Sequence, residues 1–309
     1  MGICIFYTDI FFDAFKQIRK KNRSIDHMDL KSQAKIRWII KSSIRLCYLV
    51  VIAAIAESIL FQPFNKDIMK LHYFVVWSKN NLGWLYNYAI FGYFSSFIVC
   101  FYASMTELFP VIYLIVHISI QIMNLNNYIK NISNDYDDND LDLYNDVKYQ
   151  DNIKKRLIFC IKFHQEINGI IRNVYNITYF PSIIQYIGGT IAGASVMFYA
   201  YTEMTTEAYG RIAGITCMGA ALLGVASLYG QYYKDMTGSL FDTATDVPWH
   251  LWNIENKKLY LIFLSNCKVH CLGMSTVTMD YMLTIKVLKS LYSMHTMIRG
   301  ALKHQSHST

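Results

Sequence analysis

Residues that could perform chemistry are few in this sequence, and they form no catalytic set. Cys267, His270 and Cys271 have helical spacing, but a zinc site needs about four ligands and no other ligand follows closely. The 9 histidines are scattered, and none pairs with a Cys, Ser or Asp at a spacing that indicates a nucleophile and its base. A glycine-rich phosphate-binding loop is also missing from the sequence. We expect no enzyme activity, no metal and no cofactor, and we expect the cysteines to be free thiols.

An acidic segment in the middle of the chain has a partial calcium-binding pattern. Asp138, Asp140 and Asp142 are spaced like the first ligands of a calcium loop. However, Leu143 stands where the loop requires glycine, and Tyr149 stands where it requires a bidentate glutamate. The pattern therefore predicts a solvated loop and not a calcium site.

The distribution of apolar residues indicates a membrane protein. The chain is 53% hydrophobic and 17% charged, whereas soluble chains carry roughly 25% charged residues. The charges occur in blocks, and the uncharged runs between them approach the roughly 20 residues that a helix needs to cross hydrocarbon. We predict an all-α, polytopic helical membrane protein with about five transmembrane helices.

The same pattern predicts the boundaries of the segments. Past Glu107 and Pro110 the apolar run continues to Ile129, either as two short spans or as one long helix that leaves the membrane, and we favour one helix. The predicted spans are 44–61, 84–108, 181–201 and 211–233, followed by a last helix at 275–300. The remaining segments are an amphipathic N-terminal segment at 1–43, a loop at 130–178, a polar region at 234–274 and a tail at 301–309.

Charge placement predicts the orientation of the chain. Nine basic residues between Lys16 and Lys41 precede the first span. In a soluble protein this block would suggest nucleic acid, but beside a span it places the N-terminus in the cytoplasm, and we expect no nucleic-acid partner. The loop at 130–178 and the region at 234–274 are then cytoplasmic, and an odd number of spans places the C-terminus outside the cell.

Two features concern how the helices meet their neighbours. The last helix contains Asp280, Lys286 and Lys289, which are costly in lipid, so either its first half is cytosolic or these charges face protein or an aqueous path.

Glycine pairs with GxxxG spacing, Gly189 with Gly193 and Gly210 with Gly214, predict close packing of the third span against the fourth.

Short motifs in the C-terminal third carry the most specific information. They follow in the order Tyr233-Lys234-Asp235, Asp246-Val247-Pro248-Trp249, Lys257-Lys258-Leu259 and Leu291-Tyr292-Ser293. This order resembles the end of insect odorant receptors, and Ile161-Lys162-Phe163-His164 resembles the family's "I-x-x-H" upstream. The resemblance covers roughly residues 25–300. The chain departs from the family in two places, because Ser265-Asn266-Cys267 replaces an "R-S-Q" element and the sequence begins just before the third of seven spans.

The resemblance implies a channel function. Members of this family are odorant-gated cation channels that detect small volatile chemicals, assembled as a hetero-tetramer with an odorant co-receptor in the plasma membrane of olfactory neuron dendrites. The implied pore-lining residues are in the second half of the last helix: Tyr292, His295, Thr296 and Ile298. The implied odorant pocket consists of Phe91, Phe94, Met197 and Tyr201. The implied subunit anchor consists of Trp249, Trp252, Leu259, Ile262 and Phe263.

Two alternatives remain open at this point. A receptor fragment that inserts in the membrane but neither binds odorant nor gates would have the same pattern, since the family's second helix forms part of its pocket. A G-protein-coupled receptor or a transporter would also be polytopic and helical. The sequence has no D-R-Y after a third span and no N-P-x-x-Y in its last span, and both absences disfavour the G-protein-coupled receptor.

Overall fold

The chain is almost entirely helical. The computed structural model describes the backbone at residues 16, 28–60, 73–133, 141–202, 206–267, 269, 273–274, 277–278 and 280–306. Within these ranges the α-helices are α1 (Leu30–Leu60), α2 (Tyr73–Asn81), α3 (Tyr86–Lys130), α4 (Val147–Thr202), α5 (Thr206–Thr245), α6 (Ile254–Asn266) and α7 (Tyr281–Ser306). Short 3-10 turns lie at Gly83–Leu85, Leu141–Tyr144 and Trp249–Leu251. The all-α prediction is confirmed.

A very short antiparallel pairing precedes the last helix. β1 (Gly273–Met274) pairs with β2 (Val277–Thr278), with Gly273 opposite Thr278 and Met274 opposite Val277. The last helix was predicted to begin at residue 275, and that boundary is wrong. Helix α7 begins at Tyr281, because the Asp280 carboxylate accepts a hydrogen bond from the backbone N–H of Met282 and caps the helix.

Helix α3 confirms the prediction of one long helix. It runs for 45 residues from Tyr86 to Lys130 and continues through Pro110. Among the described residues, the stretches long and apolar enough to cross a bilayer are Leu30–Ala56, Phe109–Lys130 and Ile212–Thr245. In Phe109–Lys130, however, apolar side chains such as Leu114, Ile118 and Leu125 are buried against other protein elements. Protein packing therefore accounts for the apolar character of that stretch.

The segment at 130–178 is not a loop for most of its length, which corrects the prediction. Helix α4 begins at Val147 and continues for 56 residues to Thr202. Ile153, Leu157, Cys160, Phe163 and Ile167 recur every three or four residues along it, and all are buried. The helix forms because this apolar stripe has a core to pack against. In the sequence, the charged residues between the stripe positions favour a solvated loop.

The polar region at 234–274 is likewise partly helical. Helix α5 extends to Thr245, so residues 234–245 continue the helix that contains the predicted fourth span. The amphipathic N-terminal segment lies outside the described residues as far as residue 27, apart from Lys16. The number of about five spans and the orientation of the termini stay predictions.

The chain divides into two compact units. The first unit comprises residues 1–42, 111–182 and 227–282, and the second comprises 43–110, 183–226 and 283–309. The first has a large core to which α3, α4, α5 and α6 contribute, with Leu114, Phe163, Tyr233, Trp252 and Phe263 among its members. The second has smaller apolar clusters, one around Val50, Ala54 and Met218 and another around Val75, Ile90 and Phe94.

Gly193 makes the close helix approach that the GxxxG spacing predicted, but with a different partner. A Cβ at position 193 would lie 3.2 Å from Leu291 Cδ2 of helix α7, whereas at Gly189 and Gly210 no atom of the described residues lies within 4 Å of a built Cβ. The glycine therefore serves contact with the last helix. The prediction that these spacings pack the third span against the fourth is wrong for Gly189, Gly193 and Gly210. The GxxxG spacing identifies a side of a helix that lacks bulky side chains, but it does not identify the helix that packs there.

Replacing Gly193 by valine should destabilise the protein, whereas the same change at Gly189 should not. Valine at 193 overfills the contact with Leu291, which costs about 1–3 kcal/mol, and the control position has open space. Thermal unfolding of the full chain in lipid nanodiscs measures both variants. Adding Leu291→Ala to Gly193→Val should restore much of the lost stability, and equal melting of both glycine variants would contradict the contact.

Candidate functional site

An ion pair holds the start of the last helix. Asp280 Oδ2 lies 3.0 Å from Lys234 Nζ of helix α5, and the Asp280 side chain is buried. Asp280 Oδ1 accepts a hydrogen bond of 3.0 Å from the Met282 N–H. One carboxylate thus caps α7 and neutralises a lysine. This accounts for one of the three charges that looked anomalous in the sequence, because Asp280 faces protein.

Helix α7 leaves one side uncovered in the second unit. Ile285, Leu288, Tyr292 and Thr296 follow at spacings of three or four residues, and all four are exposed. On the opposite side Leu283 is buried, and Leu291 packs toward Gly193. A single chain therefore leaves a mostly apolar stripe of its last helix without a protein partner among the described residues.

The four predicted pore residues do not share one environment. Tyr292 is 69% exposed and Thr296 is also exposed, and both belong to the uncovered stripe. His295 and Ile298 are half-buried and lie at its edges. The His295 ring is nearly parallel to that of Tyr292, with the ring centroids 6.5 Å apart. Tyr292 and Thr296 therefore share the exposed stripe, whereas His295 and Ile298 do not belong to it.

The predicted odorant-pocket residues are also separated. Phe94 is buried in a cluster with Val75 and Ile90. Its ring packs edge-to-face on Tyr93 at 5.2 Å. Phe91, three residues earlier and therefore a neighbour along α3, is 76% exposed, so the cluster covers Phe94 but not Phe91. Met197 is half-buried on α4, and the side chain of Tyr201 lies outside the described residues.

The predicted anchor residues divide into an internal and an external set, and this corrects the prediction. Trp252 is 0% exposed, and its ring packs edge-on against Tyr260 at 5.4 Å. Phe263 is also buried, with its ring 5.5 Å from that of His164. Trp252 and Phe263 therefore belong to the core of their own chain, with Leu259 packed against that core. They are not available to a neighbouring subunit.

Trp249 and Ile262 remain exposed, and they define the surface that a partner could reach. Ile262 is 58% exposed, and Ile254 and Leu261 on the same helix are exposed as well. Lys257 Nζ lies 6.0 Å from the centroid of the Trp249 ring and 5.5 Å from that of Tyr144. We call Ile254, Leu261 and Ile262 the outer face of α6.

Gln150 is the residue that sequence reasoning missed. Its Nε2 donates to the backbone oxygens of Leu143 and Leu251, both at 3.0 Å. Its Oε1 accepts from the Asn253 N–H at 2.8 Å and from Asn256 Nδ2 at 2.9 Å. The amide thus joins two 3-10 turns to the beginning of α6, where Asn253 caps the helix. Nothing in the local pattern around a glutamine in an acidic segment could have indicated these contacts.

Cys267 ends helix α6 as a buried thiol. Its Sγ lies 3.4 Å from the backbone oxygen of Phe263, and burial raises the pKa of the thiol to about 12. A neutral thiol is a poor metal ligand. His270 and Cys271, its neighbours in the predicted cluster, lie outside the described residues, and no three His, Cys, Asp or Glu residues within the described ranges are close enough to hold a metal ion.

Comparison with known proteins identifies the family. The sequence model of the 7tm odorant receptor family matches residues 11–292, which is most of the chain. The chain belongs to the 7tm odorant receptor family. Its family is one of receptors and not of enzymes. No curated protein matches the sequence significantly.

The fold of this family member is similar to that of solved structures of an insect olfactory receptor. The olfactory receptor OR5 from Machilis hrabei aligns with a TM-score of 0.57 and 6% identity, over 96% of this chain and 76% of that one. The same receptor in complex with eugenol aligns with a TM-score of 0.57 and 6% identity, over 96% of this chain and 78% of that one. At this identity the likeness concerns the fold alone.

Replacing Gln150 by leucine should destabilise the first unit of this receptor. Leucine fills the space but satisfies none of the four hydrogen bonds, and each buried polar group left unpaired costs about 1–3 kcal/mol. Because some groups will find water, we expect a total loss of about 2–4 kcal/mol. Gln165→Leu on the exposed side of the same helix is the matched control and should unfold at the wild-type temperature. Equal thermal unfolding of both variants would show that the Gln150 contacts do not stabilise the fold.

Proposed function

We propose that this chain is a subunit of an odorant-gated cation channel in the plasma membrane of olfactory neurons, where it assembles with an odorant co-receptor. The observation that carries the proposal is the uncovered stripe of α7. A membrane helix usually presents apolar residues to lipid, yet this stripe ends in Tyr292 and Thr296 and lies beside Lys289. Polar and charged groups of this kind face water or protein in a bilayer. A central pore shared by several subunits would provide such surroundings.

The burial of individual residues refines the proposed pore. Tyr292 and Thr296 are exposed on the same side of α7, so they are the residues that we place in the pore wall. His295 and Ile298 are half-buried, and we place them at the contact between the pore helix and its neighbours. A hydroxyl and a phenol without fixed charge would allow partly hydrated cations to pass.

The proposed ligand site is apolar. Odorants are small and mostly apolar, and sites for such ligands are lined by aromatic and aliphatic side chains with few polar groups. The cluster around Phe94, Val75 and Ile90 supplies a wall of this type in the second unit, and the Phe74 ring stacks on Tyr93 beside it at 4.9 Å. Met197 and Tyr201 complete the proposed pocket, and the exposed Phe91 is its least supported member. The eugenol complex of the Machilis hrabei receptor suggests an aromatic odorant as a first ligand to test.

Assembly would use the outer face of α6. Ile254, Leu261 and Ile262 are exposed, and their combined apolar area has no partner within the described part of the chain. The other side of the same helix is occupied by Asn256, Tyr260 and Phe263, which are buried. A helix whose inner side packs into its own core, and whose outer side carries exposed apolar residues around Lys258, suits a position between that core and a second subunit.

Cysteine accessibility tests the pore. The chain is co-expressed with an odorant co-receptor, and odorant-evoked current is recorded with a panel that includes eugenol. In Thr296→Cys we expect a positively charged methanethiosulfonate reagent to reduce the current by half or more, because the new thiol faces the ion path. Ser290→Cys is the matched control, since Ser290 is exposed on another side of α7 and should leave the current unchanged.

The outcomes separate the pore from the receptor function. Current that survives modification at Thr296, or that falls equally at Ser290, would contradict the assignment of the pore side. Absence of any odorant-evoked current, with normal surface expression beside the co-receptor, would contradict the channel function. That result would favour the alternative of a receptor fragment that inserts but does not gate.

A charge on the outer face of α6 should prevent assembly without unfolding the chain. Leu261→Asp places a carboxylate where we expect an apolar subunit contact, and removing this charge from water costs on the order of several kcal/mol even with Lys257 and Lys258 within about one turn of it. We expect the amount of chain that co-purifies with the co-receptor to fall at least ten-fold. Gln165→Asp, which adds the same charge at an exposed site on α4, should assemble normally. Undiminished co-purification of Leu261→Asp would place the subunit contact elsewhere.

A further inference from the structure

The beginning of helix α1 carries basic side chains that the proposed channel function does not use. Lys31, Lys35, Arg37 and Lys41 occupy its first turns, and all four are exposed. The sequence has no acidic residue between Asp29 and Glu57. None of the four cations forms an ion pair within the described ranges, and Arg37 donates a single hydrogen bond of 3.4 Å to Gln33 Oε1. Within the described part of the chain, these positive charges are therefore uncompensated.

The geometry of the helix turns these cations away from the protein. Ile36 and Ile39 are buried against the first unit. Arg37 and Lys41 are one turn apart on the other side of the helix, as are Lys31 and Lys35. Trp38 lies among them and is 68% exposed. A surface that interleaves basic residues with an exposed indole has the composition of a helix at a membrane surface.

The same helix continues with exposed apolar residues. Tyr48, Leu49, Ile52, Ile55 and Ile59 are all exposed in the second unit. Such side chains suit hydrocarbon, and the stretch Leu30–Ala56 contains an 18-residue apolar window that is long enough to cross a bilayer. Along a helix Lys41 and Tyr48 are about 10 Å apart. One headgroup layer is roughly 5–8 Å deep, so Lys41 would stand at the headgroups when Tyr48 stands at the edge of the hydrocarbon, and long basic side chains can extend toward the headgroups.

We propose that Lys31, Lys35, Arg37 and Lys41 form a binding site for the phosphate-bearing headgroups of anionic phospholipids, at the membrane surface where α1 enters the bilayer. Arginine and lysine side chains bind phosphate oxygens directly. Each cation near an anionic membrane surface strengthens binding roughly five-fold. Trp38 lies at headgroup level and helps to hold the depth of the helix. The proposal requires only that α1 enters a membrane, so it does not depend on odorant gating.

Lipid binding to the purified full-length chain tests this proposal. The protein is kept in a neutral detergent, and native mass spectrometry counts bound dioctanoyl-phosphatidylserine and dioctanoyl-phosphatidylcholine. We expect the wild type to prefer the anionic lipid. The variant Lys31→Gln, Lys35→Gln, Arg37→Gln, Lys41→Gln should bind phosphatidylserine at least ten-fold more weakly. Its affinity for phosphatidylcholine should change little, because that headgroup has no net charge.

Two further variants control for charge and for folding. Replacing Lys148, Lys155, Lys162 and Lys258 by glutamine removes four exposed cations elsewhere in the first unit and should leave the preference for phosphatidylserine intact. The charge-preserving variant Lys31→Arg, Lys35→Arg, Lys41→Arg should also keep it. Inorganic phosphate at millimolar concentration should not displace the lipid, because the apolar part of the lipid contributes to binding.

Several outcomes would overturn the proposal. Equal phosphatidylserine binding by the wild type and the four-fold glutamine variant would show that these cations bind no headgroup. An equal loss in the control variant would show a general charge effect. Displacement by inorganic phosphate would indicate a site for free phosphate. A lower melting temperature of the four-fold variant in detergent without phospholipid would show that protein, and not lipid, occupies the basic surface.

Discussion

Backbone N–H and C=O groups find no water inside hydrocarbon, so a membrane-crossing segment must satisfy them within its own helix. The rest of this structure depends on that constraint. It favours long, uninterrupted helices, and α3 at 45 residues and α4 at 56 residues are far longer than a bilayer requires. Because a helix that has formed continues at little further cost, the additional length extends into protein. The helices α3, α4 and α5 each contribute residues to both compact units.

The additional length provides the core of the first unit. There the apolar stripe of α4, with Ile153, Leu157 and Phe163, meets the apolar side of α3. Two polar contacts have defined partners in this unit, since Gln150 bridges two turns and α6, and Lys234 pairs with the buried Asp280. Apolar packing supplies much of the stability of such a core, and the buried polar contacts select one arrangement of the chain ends within it.

Residues at the proposed functional surfaces are those that the chain leaves uncovered. The stripe of α7 with Leu288, Tyr292 and Thr296 and the outer face of α6 both consist of side chains for which the described residues supply no covering element. In a receptor that assembles from several chains, such surfaces are where a neighbouring chain or an ion path belongs. The basic side of α1 is also uncovered, but we propose that it contacts anionic lipid headgroups and not a neighbouring chain.

The sequence by itself determined the class of the fold, the long helix of α3 and the family. These follow from local properties, since apolar periodicity and the spacing of short motifs are readable along the chain. The same local reading failed at α4, where charged residues between the stripe positions hid a helix, and at the start of α7, where a capping carboxylate sets the boundary.

Only the tertiary structure decided which side of each helix meets which partner. Periodicity shows that Trp252, Ile262 and Phe263 are apolar, but not that two of them are buried in their own chain and one is exposed. The contacts of Gln150 reach Asn256, which is 106 residues away, and Gly193 meets Leu291 of the last helix. Contacts of this range depend on how the chain returns on itself. A pattern of neighbouring residues does not show how distant parts of the chain come together. The residues of the candidate sites could therefore be proposed from the sequence, but only the folded chain shows on which surface each of them lies.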